Sequence, residues 1–157
     1  MNTTTLINRE YLPVLTDLVL RSKQTISLTM YQVGFKKKQN HSAIEMLCQQ
    51  LQHAALRGVK CRAILAAGSA YMPSANAANL ARDIFIDWGW EVIQMPDTQL
   101  MHAKSVVFDK EQLLIGSHNW TLPGLMINYE TSVLVEDKHQ AENLHLWHDL
   151  IAAKKRP

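Results

Sequence analysis

Segments with the apolar spacing of helices alternate along this chain with short apolar runs that are typical of β-strands. The clearest helix is predicted over 42–57, where Ser42 and Glu45 form a capping-box pattern and Gly58 follows the last turn. The clearest strand is predicted over 25–31, where apolar and small polar residues alternate. Such alternation favours folds in which helices cover a sheet that contains parallel strands.

The order of the predicted elements defines the fold class. Strands are predicted over 25–31, 60–66, 90–94, 102–108, 112–116 and 131–136, and helices over 9–22, 42–57, a segment that ends at Gly89, and 139–153. The last helix should turn Leu144, Trp147 and Ile151 inward. Asp109 and Lys110 alone separate two strands, which indicates a hairpin. We therefore expect an α/β fold with a mixed, largely parallel β-sheet flanked by helices on both faces, as one domain over 1–157.

Composition limits the class of protein. With 157 residues, of which 47% are hydrophobic and 19% charged, the chain can form one soluble domain with its own core. The net charge is only +2, so any nucleic-acid binding must use local basic patches. Cys48 and Cys61 belong to no Cys/His cluster, so no metal site is expected and both thiols should be reduced. The chain shows neither a secretory leader pattern nor the run of about 20 apolar residues that crosses a bilayer, and a cytoplasmic protein is expected.

The segment 100–121, LMHAKSVVFDKEQLLIGSHNWT, concentrates residues that suit phosphate chemistry. If 102–108 is a strand, its period-two alternation places His102 and Lys104 on the same face. The ammonium group would attract an anionic substrate and would favour the neutral, nucleophilic form of a neighbouring imidazole.

The following strand ends in small polar residues. Gly116, Ser117 and Asn119 could bring backbone and side-chain donors close to phosphoryl oxygens. A histidine nucleophile also needs a carboxylate to hold its second ring nitrogen, and Glu130 is the nearby candidate in sequence.

Together these residues resemble the HKD signature of the phospholipase D superfamily. That signature consists of His-x-Lys, four residues, Asp, six residues, Gly-Ser and then Asn, and every spacing is kept here by His102, Lys104, Asp109, Gly116, Ser117 and Asn119. The later triplet Asn128-Tyr129-Glu130 resembles the Asn-x-Glu that often follows in this family. The resemblance implies a phospholipase D/nuclease-like fold, with Asp109 as a supporting member of the catalytic set at the turn.

The resemblance also implies a mechanism. His102 would attack phosphorus to form a covalent phosphohistidine, while Lys104, Ser117 and Asn119 bind the phosphate and Glu130 orients His102. Neither a cofactor nor a metal is expected, because Lys104 and its symmetry mate would supply the positive charge.

Larger members of the family carry two HKD motifs, whereas this chain has one, over 102–119. The remaining histidines lack the rest of the pattern: His41, His53, His118, His139, His145 and His148. Alternation points His118 away from His102. A two-histidine mechanism therefore predicts a C2 homodimer with its active site at the two-fold interface, in which His102 of the second chain is the acid.

Three functions remain open from the sequence. A nuclease of DNA or RNA is favoured by the small size and the single motif. It is also favoured by the basic run Lys36, Lys37 and Lys38, which follows the aromatic flanks Tyr31 and Phe35 and could contact nucleic acid, although such a run is also typical of a solvated loop. A lipid enzyme is the less favoured alternative, with an apolar lip that could be formed by Met72, Leu100, Met101, Leu125 and Met126. The third possibility is a non-catalytic nucleic-acid-binding module.

Overall fold

A mixed β-sheet of seven strands forms the centre of the computed structural model, which describes residues 1–68, 75–96 and 98–154. In chain order these strands are β1 (Asn2–Ile7), β2 (Thr25–Met30), β3 (Lys60–Leu65), β4 (Glu91–Gln94), β5 (Ser105–Phe108), β6 (Gln112–Gly116) and β7 (Thr131–Glu136). Across the sheet they follow the order β1-β7-β6-β5-β2-β3-β4. The helices of the described chain are α1 (Tyr11–Arg21), α2 (Ser42–Leu56), α3 (Ala75–Asp87), α4 (Leu122–Met126) and α5 (Lys138–Lys154).

Helices cover both faces of the sheet. Leu28, Val106 and Leu114 point into the core that α1, α2 and α3 close. On the opposite face, Val107 and Leu113 contact Ala141 of α5. The expected α/β class, with a mixed sheet between helices, is confirmed.

Parallel pairing is less extensive than predicted. Among the seven strands of the described chain, only β2–β3 and β3–β4 pair in parallel, and the other four strand pairings are antiparallel. The expectation of a largely parallel sheet is therefore corrected. A parallel connection needs a crossover of a dozen or more residues, whereas only the short turn 109–111 joins β5 to β6, so these two strands must pair antiparallel.

Two details of local structure differ from the pattern-based assignment. The strand β1 has no predicted counterpart because four of its first five residues are threonine or asparagine and only Leu6 is buried, which leaves no apolar alternation to detect. The N-cap of α2 is His41 rather than Ser42, and the Glu45 carboxylate accepts a hydrogen bond from the Gln39 N–H at 3.2 Å. The predicted capping box between Ser42 and Glu45 is therefore replaced by a hydrogen bond from the preceding loop to the Glu45 side chain.

One edge of the sheet gathers the segments that carry the motif residues. Strands β2 and β6 run in one direction and β5 in the other, so the ends of β2 and β6 lie beside the beginning of β5. The beginning of β7 and the end of β1 meet at the same edge, where Ile7 pairs with Thr131. This arrangement brings together the segments 31–36, 101–104, 117–121 and 128–130.

Candidate active site

His102 lies in the loop before β5, because that strand begins at Ser105 rather than at position 102. Its side chain is exposed, whereas the preceding Met101 is buried and anchors the loop. The imidazole packs against the ring of Tyr31, with 4.6 Å between the ring centroids and 50° between their planes. An aromatic support of this kind orients the imidazole while leaving it accessible to a substrate.

Lys104 is held beside His102 by the same tyrosine and by the loop backbone. Its Nζ donates a hydrogen bond to the His102 carbonyl oxygen at 2.7 Å and lies 5.0 Å from the centroid of the Tyr31 ring. Burial lowers the pKa of Lys104, and the nearby negative charge of Glu130 opposes that shift. The structure therefore places the imidazole and the ammonium group together. Their proximity comes from the conformation of the loop and not from alternation along a strand.

Ser117 and Glu130 form a second polar group at this edge. The Ser117 hydroxyl donates to Oε2 of Glu130 and accepts from the Thr131 N–H at 3.0 Å. Oε1 of Glu130 accepts from Nδ2 of Asn128 at 3.1 Å. Within the described residues, no hydrogen bond joins Glu130 to the His102 ring, so the orienting role of Glu130 stays a prediction.

Gly116 and Asn119 border this group. A Cβ atom at position 116 would overlap Ser132 and the Thr131 carbonyl oxygen, because β6 and β7 approach closely there. Asn119 is half-buried, and its Oδ1 is buried without a hydrogen-bond partner in the part of the chain that is described. Because this oxygen is an acceptor, it cannot bind a phosphoryl oxygen, and the phosphate-binding role of Asn119 stays a prediction.

Asp109 lies at the opposite edge of the sheet from His102. Its carboxylate accepts hydrogen bonds from the backbone N–H groups of Lys23, Gln24 and Thr25 at 2.9, 2.8 and 2.9 Å. These contacts tie the β5–β6 turn to the start of β2. Asp109 thus cannot touch a group bound at His102, and the contacts that it makes are structural.

His118 points into the protein, away from His102, as the alternation predicts. It is 1% exposed, and its ring stacks on Tyr11 with 4.3 Å between centroids and 7° between planes. Burial lowers the pKa of His118, while its hydrogen bond to the Asn8 backbone and the charge of Glu130 act in the other direction.

A groove of about 390 Å³ adjoins His102. It is lined by Met95, Gln99, Leu100, Met101, His102, Ala103, Trp147, Ile151 and Lys154. Trp147 is 41% exposed, although the helical pattern assigns it to the inward face of α5. The pattern fails there because α5 carries apolar residues on both its buried and its exposed sides, with Leu146 and Leu150 also exposed.

The basic run Lys36–Lys38 is exposed in the loop after β2. This loop meets the segment that follows Asn119: the Gly34 N–H donates to the Trp120 carbonyl oxygen at 2.8 Å. The lysines therefore lie in a loop at the motif-bearing edge. Sequence reasoning had noted Tyr31 only as a flank of this run and missed its contacts with His102 and Lys104, for which sheet topology was required.

The described residues contain neither a candidate membrane span nor a candidate metal site. None of the described helices is long and apolar enough to cross a membrane. No group of three or more His, Cys, Asp or Glu side chains within residues 1–68, 75–96 and 98–154 could hold a metal ion.

Comparison with known proteins places this chain among phospholipase D-like sequences. The family model described as "Cardiolipin synthase, PLD-like domain" matches residues 15–150. Cardiolipin synthase A of Buchnera aphidicola subsp. Baizongia pistaciae (strain Bp) is 36% identical over 50 residues, which are 32% of this chain and 10% of that protein. The match thus spans about a tenth of the curated relative.

Two solved structures share the fold over nearly their whole lengths. Nuc from Salmonella typhimurium, a phospholipase D family member, superposes with a TM-score of 0.79 at 15% identity, over 99% of this chain and 97% of that chain. NucT from Helicobacter pylori superposes with a TM-score of 0.73 at 13% identity, over 97% of both chains. At these low sequence identities, the structural similarity establishes the fold of this chain alone.

Proposed function

The chain belongs to the phospholipase D-like family of the cardiolipin synthase type, and from this premise we propose that it hydrolyses phosphodiester bonds of DNA or RNA through a nucleophilic His102. The observation that carries the proposal is the convergence of His102, Lys104, Ser117 and Glu130 at one edge of the sheet. An exposed imidazole beside an ammonium group and hydroxyl and amide donors is suited to binding a phosphate and attacking it.

The reaction proceeds in two displacements. A ring nitrogen of His102 attacks phosphorus, and the bond to the leaving oxygen breaks while a second histidine protonates that oxygen. Water then attacks the phosphohistidine, loses its proton to the same second histidine and releases the phosphate product. Lys104, Ser117 and Asn119 bind the phosphoryl oxygens, and no metal takes part.

The second histidine comes from a second copy of the chain. His118 and His148 are 1% and 0% exposed, and both ring nitrogens of each are in hydrogen bonds, so neither is available as an acid. His53 and His139 are exposed on helices, away from the segments that meet at the motif-bearing edge. Since the chain carries a single HKD motif, we favour a C2 homodimer whose two His102 side chains face each other at the interface.

Two observations support nucleic acid as the substrate. The exposed run Lys36–Lys38 can contact backbone phosphates from a loop at the same edge. The groove beside His102 offers the exposed ring of Trp147 and the ammonium group of Lys154, which suit an unpaired base and its phosphate.

A phospholipid substrate is the second candidate, because the groove beside His102 is largely apolar and the family model is that of cardiolipin synthases. The lip predicted from sequence is not formed as expected. Met101 and Leu125 are buried, and Met72 lies outside the described residues. Leu100, at 58% exposure, lines the groove together with the buried Met101, and an acyl chain would there contact Trp147 and Ile151 as well.

One experiment separates the candidates. The protein is incubated in EDTA with single-stranded DNA, duplex DNA, RNA and vesicles that contain phosphatidylglycerol, in parallel with His102→Ala. Cleaved nucleic acid in EDTA, lost in His102→Ala, is the expected result. Released headgroup or transferred phosphatidyl groups would establish the lipid enzyme instead. Nucleic-acid binding without cleavage of any substrate would indicate a binding module.

The dimer has its own test. Sedimentation should give twice the 17.9 kDa mass of the chain. A mixed dimer of wild-type and His102→Ala chains should keep only a small residual activity, since one histidine then lacks its acid. Full activity in a strict monomer would overturn the two-chain site.

A further inference from the structure

Asn8, which lies far outside the HKD segment in sequence, contacts Glu130 and His118 at the motif-bearing edge. It follows β1 and begins one turn of 3₁₀ helix over Asn8–Glu10, with a φ of 52°. Its N–H donates to the Glu130 carbonyl oxygen at 2.9 Å, and its side-chain Oδ1 accepts from the Glu130 N–H at 2.9 Å. Both backbone polar groups of Glu130 are therefore bound by this one residue.

The carbonyl oxygen of Asn8 extends the same contact to the segment 117–119. It lies 2.9 Å from Nε2 of His118, and Ser132 Oγ lies 2.7 Å from Nδ1. Because a carbonyl oxygen can only accept, the neutral His118 ring carries its proton on Nε2 and accepts from the Ser132 hydroxyl. A buried ring bonded at both nitrogens fixes the backbone between Ser117 and Asn119.

We propose that Asn8 is a positioning residue of the active site, which holds Glu130 in register with the segment 117–119; the inference rests on the phosphodiesterase function proposed above. The residue type suits this task. Asparagine adopts a positive φ more readily than most side chains, and it also carries an oxygen that reaches the Glu130 N–H. Glycine would match only the first property.

A neighbouring contact reinforces this assignment. Nε of Arg9 donates to the Met126 carbonyl oxygen at 2.9 Å, at the end of α4. The turn over Asn8–Glu10 therefore contacts the chain between positions 118 and 130 at His118, Met126 and Glu130. The relative position of Ser117 and Glu130 matters for the chemistry. The Ser117 hydroxyl donates to the Glu130 carboxylate, so a shift of either residue displaces the other.

The test compares Asn8→Gly with Asn8→Asp, and with Asn2→Gly as a control on the exposed start of β1. Hydrolysis of bis(p-nitrophenyl) phosphate is measured in EDTA, since this diester reports on nuclease and lipid enzyme alike. We expect Asn8→Gly to lower kcat by about tenfold to a hundredfold, as a misplacement of about 1 Å can. KM should change little. Asn8→Asp, which retains the acceptor, should recover most of kcat, and Asn2→Gly should match wild type.

Two results would overturn the inference: wild-type kcat in Asn8→Gly, or an Asn8→Asp variant that is as impaired as Asn8→Gly. Amide hydrogen exchange supplies a readout that needs no activity. At matched global stability, exchange at the Glu130 N–H should rise about tenfold or more in Asn8→Gly, as expected for a lost hydrogen bond, and stay slow in Asn8→Asp. If wild type leaves the diester intact, the phosphodiesterase proposal fails, and unchanged Glu130 exchange would then overturn the positioning of Glu130 by Asn8 separately.

Discussion

The two ends of the β5–β6 hairpin are built in opposite ways. At its open end, His102 is exposed in a loop and is supported by the Tyr31 ring and by the loop that also carries Lys104. At its turn end, the Asp109 carboxylate accepts three backbone hydrogen bonds. Asp109 and Lys110 also adopt positive φ angles of 52° and 59°, which form the tight turn.

The difference shows that one motif can combine residues for chemistry with residues for folding. Both ends belong to the same signature and are equally prominent in the sequence. Their surroundings separate them: the open end leaves polar groups free for a ligand, whereas at the turn end the carboxylate is saturated by the chain itself. We therefore expect substitutions at the open end to reduce activity at nearly constant stability, and substitutions at the turn end to do the reverse.

The largest effect should come from His102→Ala. Loss of a nucleophile lowers kcat by about 10⁴-fold or more. Because His102 is exposed, the free energy of unfolding should stay within about 0.5 kcal/mol of wild type. Steady-state hydrolysis and urea unfolding measure the two quantities, with His139→Ala as a matched loss of an exposed histidine. Residual activity above a tenth of wild type would remove His102 from the role of nucleophile.

Lys104→Met should have the next largest effect on activity. Removing a charged group that stabilises the transition state costs about 10²- to 10³-fold in kcat. Lys104→Arg keeps the charge with a different shape and should be intermediate. Since burial lowers the pKa of Lys104, wild-type activity should fall with rising pH below the usual range for lysine. Equal activity of all three proteins would contradict a phosphate-binding role.

Asp109→Ala should lower stability and leave activity nearly constant, which is the opposite of the result expected at the open end. Three backbone N–H groups lose a charged acceptor, so the free energy of unfolding should fall by about 2–4 kcal/mol. Asp109→Asn, which keeps one acceptor oxygen and tolerates the positive φ, should lose less. Under conditions where both variants are folded, kcat should remain close to wild type. A variant of wild-type stability with a collapsed kcat would instead return Asp109 to the catalytic set.

The pH dependence of the free energy of unfolding can test the buried part of the protein between the two ends of the hairpin. His148 is buried on α5, where Ser27 Oγ lies 2.9 Å from Nδ1 and Ser105 Oγ lies 3.1 Å from Nε2. Burial lowers the pKa of His148 to about 3, with the charges of His145 and Arg62 acting in the same direction and that of Asp149 opposing.

Between pH 6.5 and about 3, the unfolded chain therefore binds a proton at His148 that the folded chain does not. The free energy of unfolding should fall on acidification in this window by about 1.4 kcal/mol per pH unit from His148 alone. His118 and His145, whose pKa values are also lowered by burial, add to the same trend. Urea unfolding at pH 7, 6 and 5 should show a shallower slope in His148→Gln, and an identical slope would refute this origin.

The smallest effect should come from replacing Lys36, Lys37 and Lys38 by glutamine. For a single-stranded substrate, each lost phosphate contact should reduce the slope of log affinity against log salt by about 0.7. Affinity measured by fluorescence anisotropy at several salt concentrations should therefore fall most at low salt, while hydrolysis of a small diester stays unchanged. An unchanged salt slope would indicate that the run is a solvated loop.

The chemistry-bearing residues could be identified from sequence because they are close together along the chain. The spacing of His102, Lys104, Ser117 and Asn119 needs only a hairpin to bring them near one another, and the pattern predicts that hairpin. Tyr31, Trp147 and Asn8 could not be found in this way, since each reaches the site from a distant segment and carries no local signal.

The sequence by itself determined the hairpin, the order of helices and strands after the first ten residues except for the short α4, and which side chains are suited to phosphate chemistry, because these depend on local spacing and residue type. The tertiary structure alone decided that β1 is the outermost strand on one side of the sheet, that antiparallel pairing prevails, and that His102 packs against the ring of Tyr31. These features depend on contacts between segments separated by up to 134 residues, and such contacts follow from how apolar faces pack rather than from any local pattern. The motif shows the same distinction. Local spacing placed His102 and Asp109 in one signature, and the sheet alone put them at opposite edges.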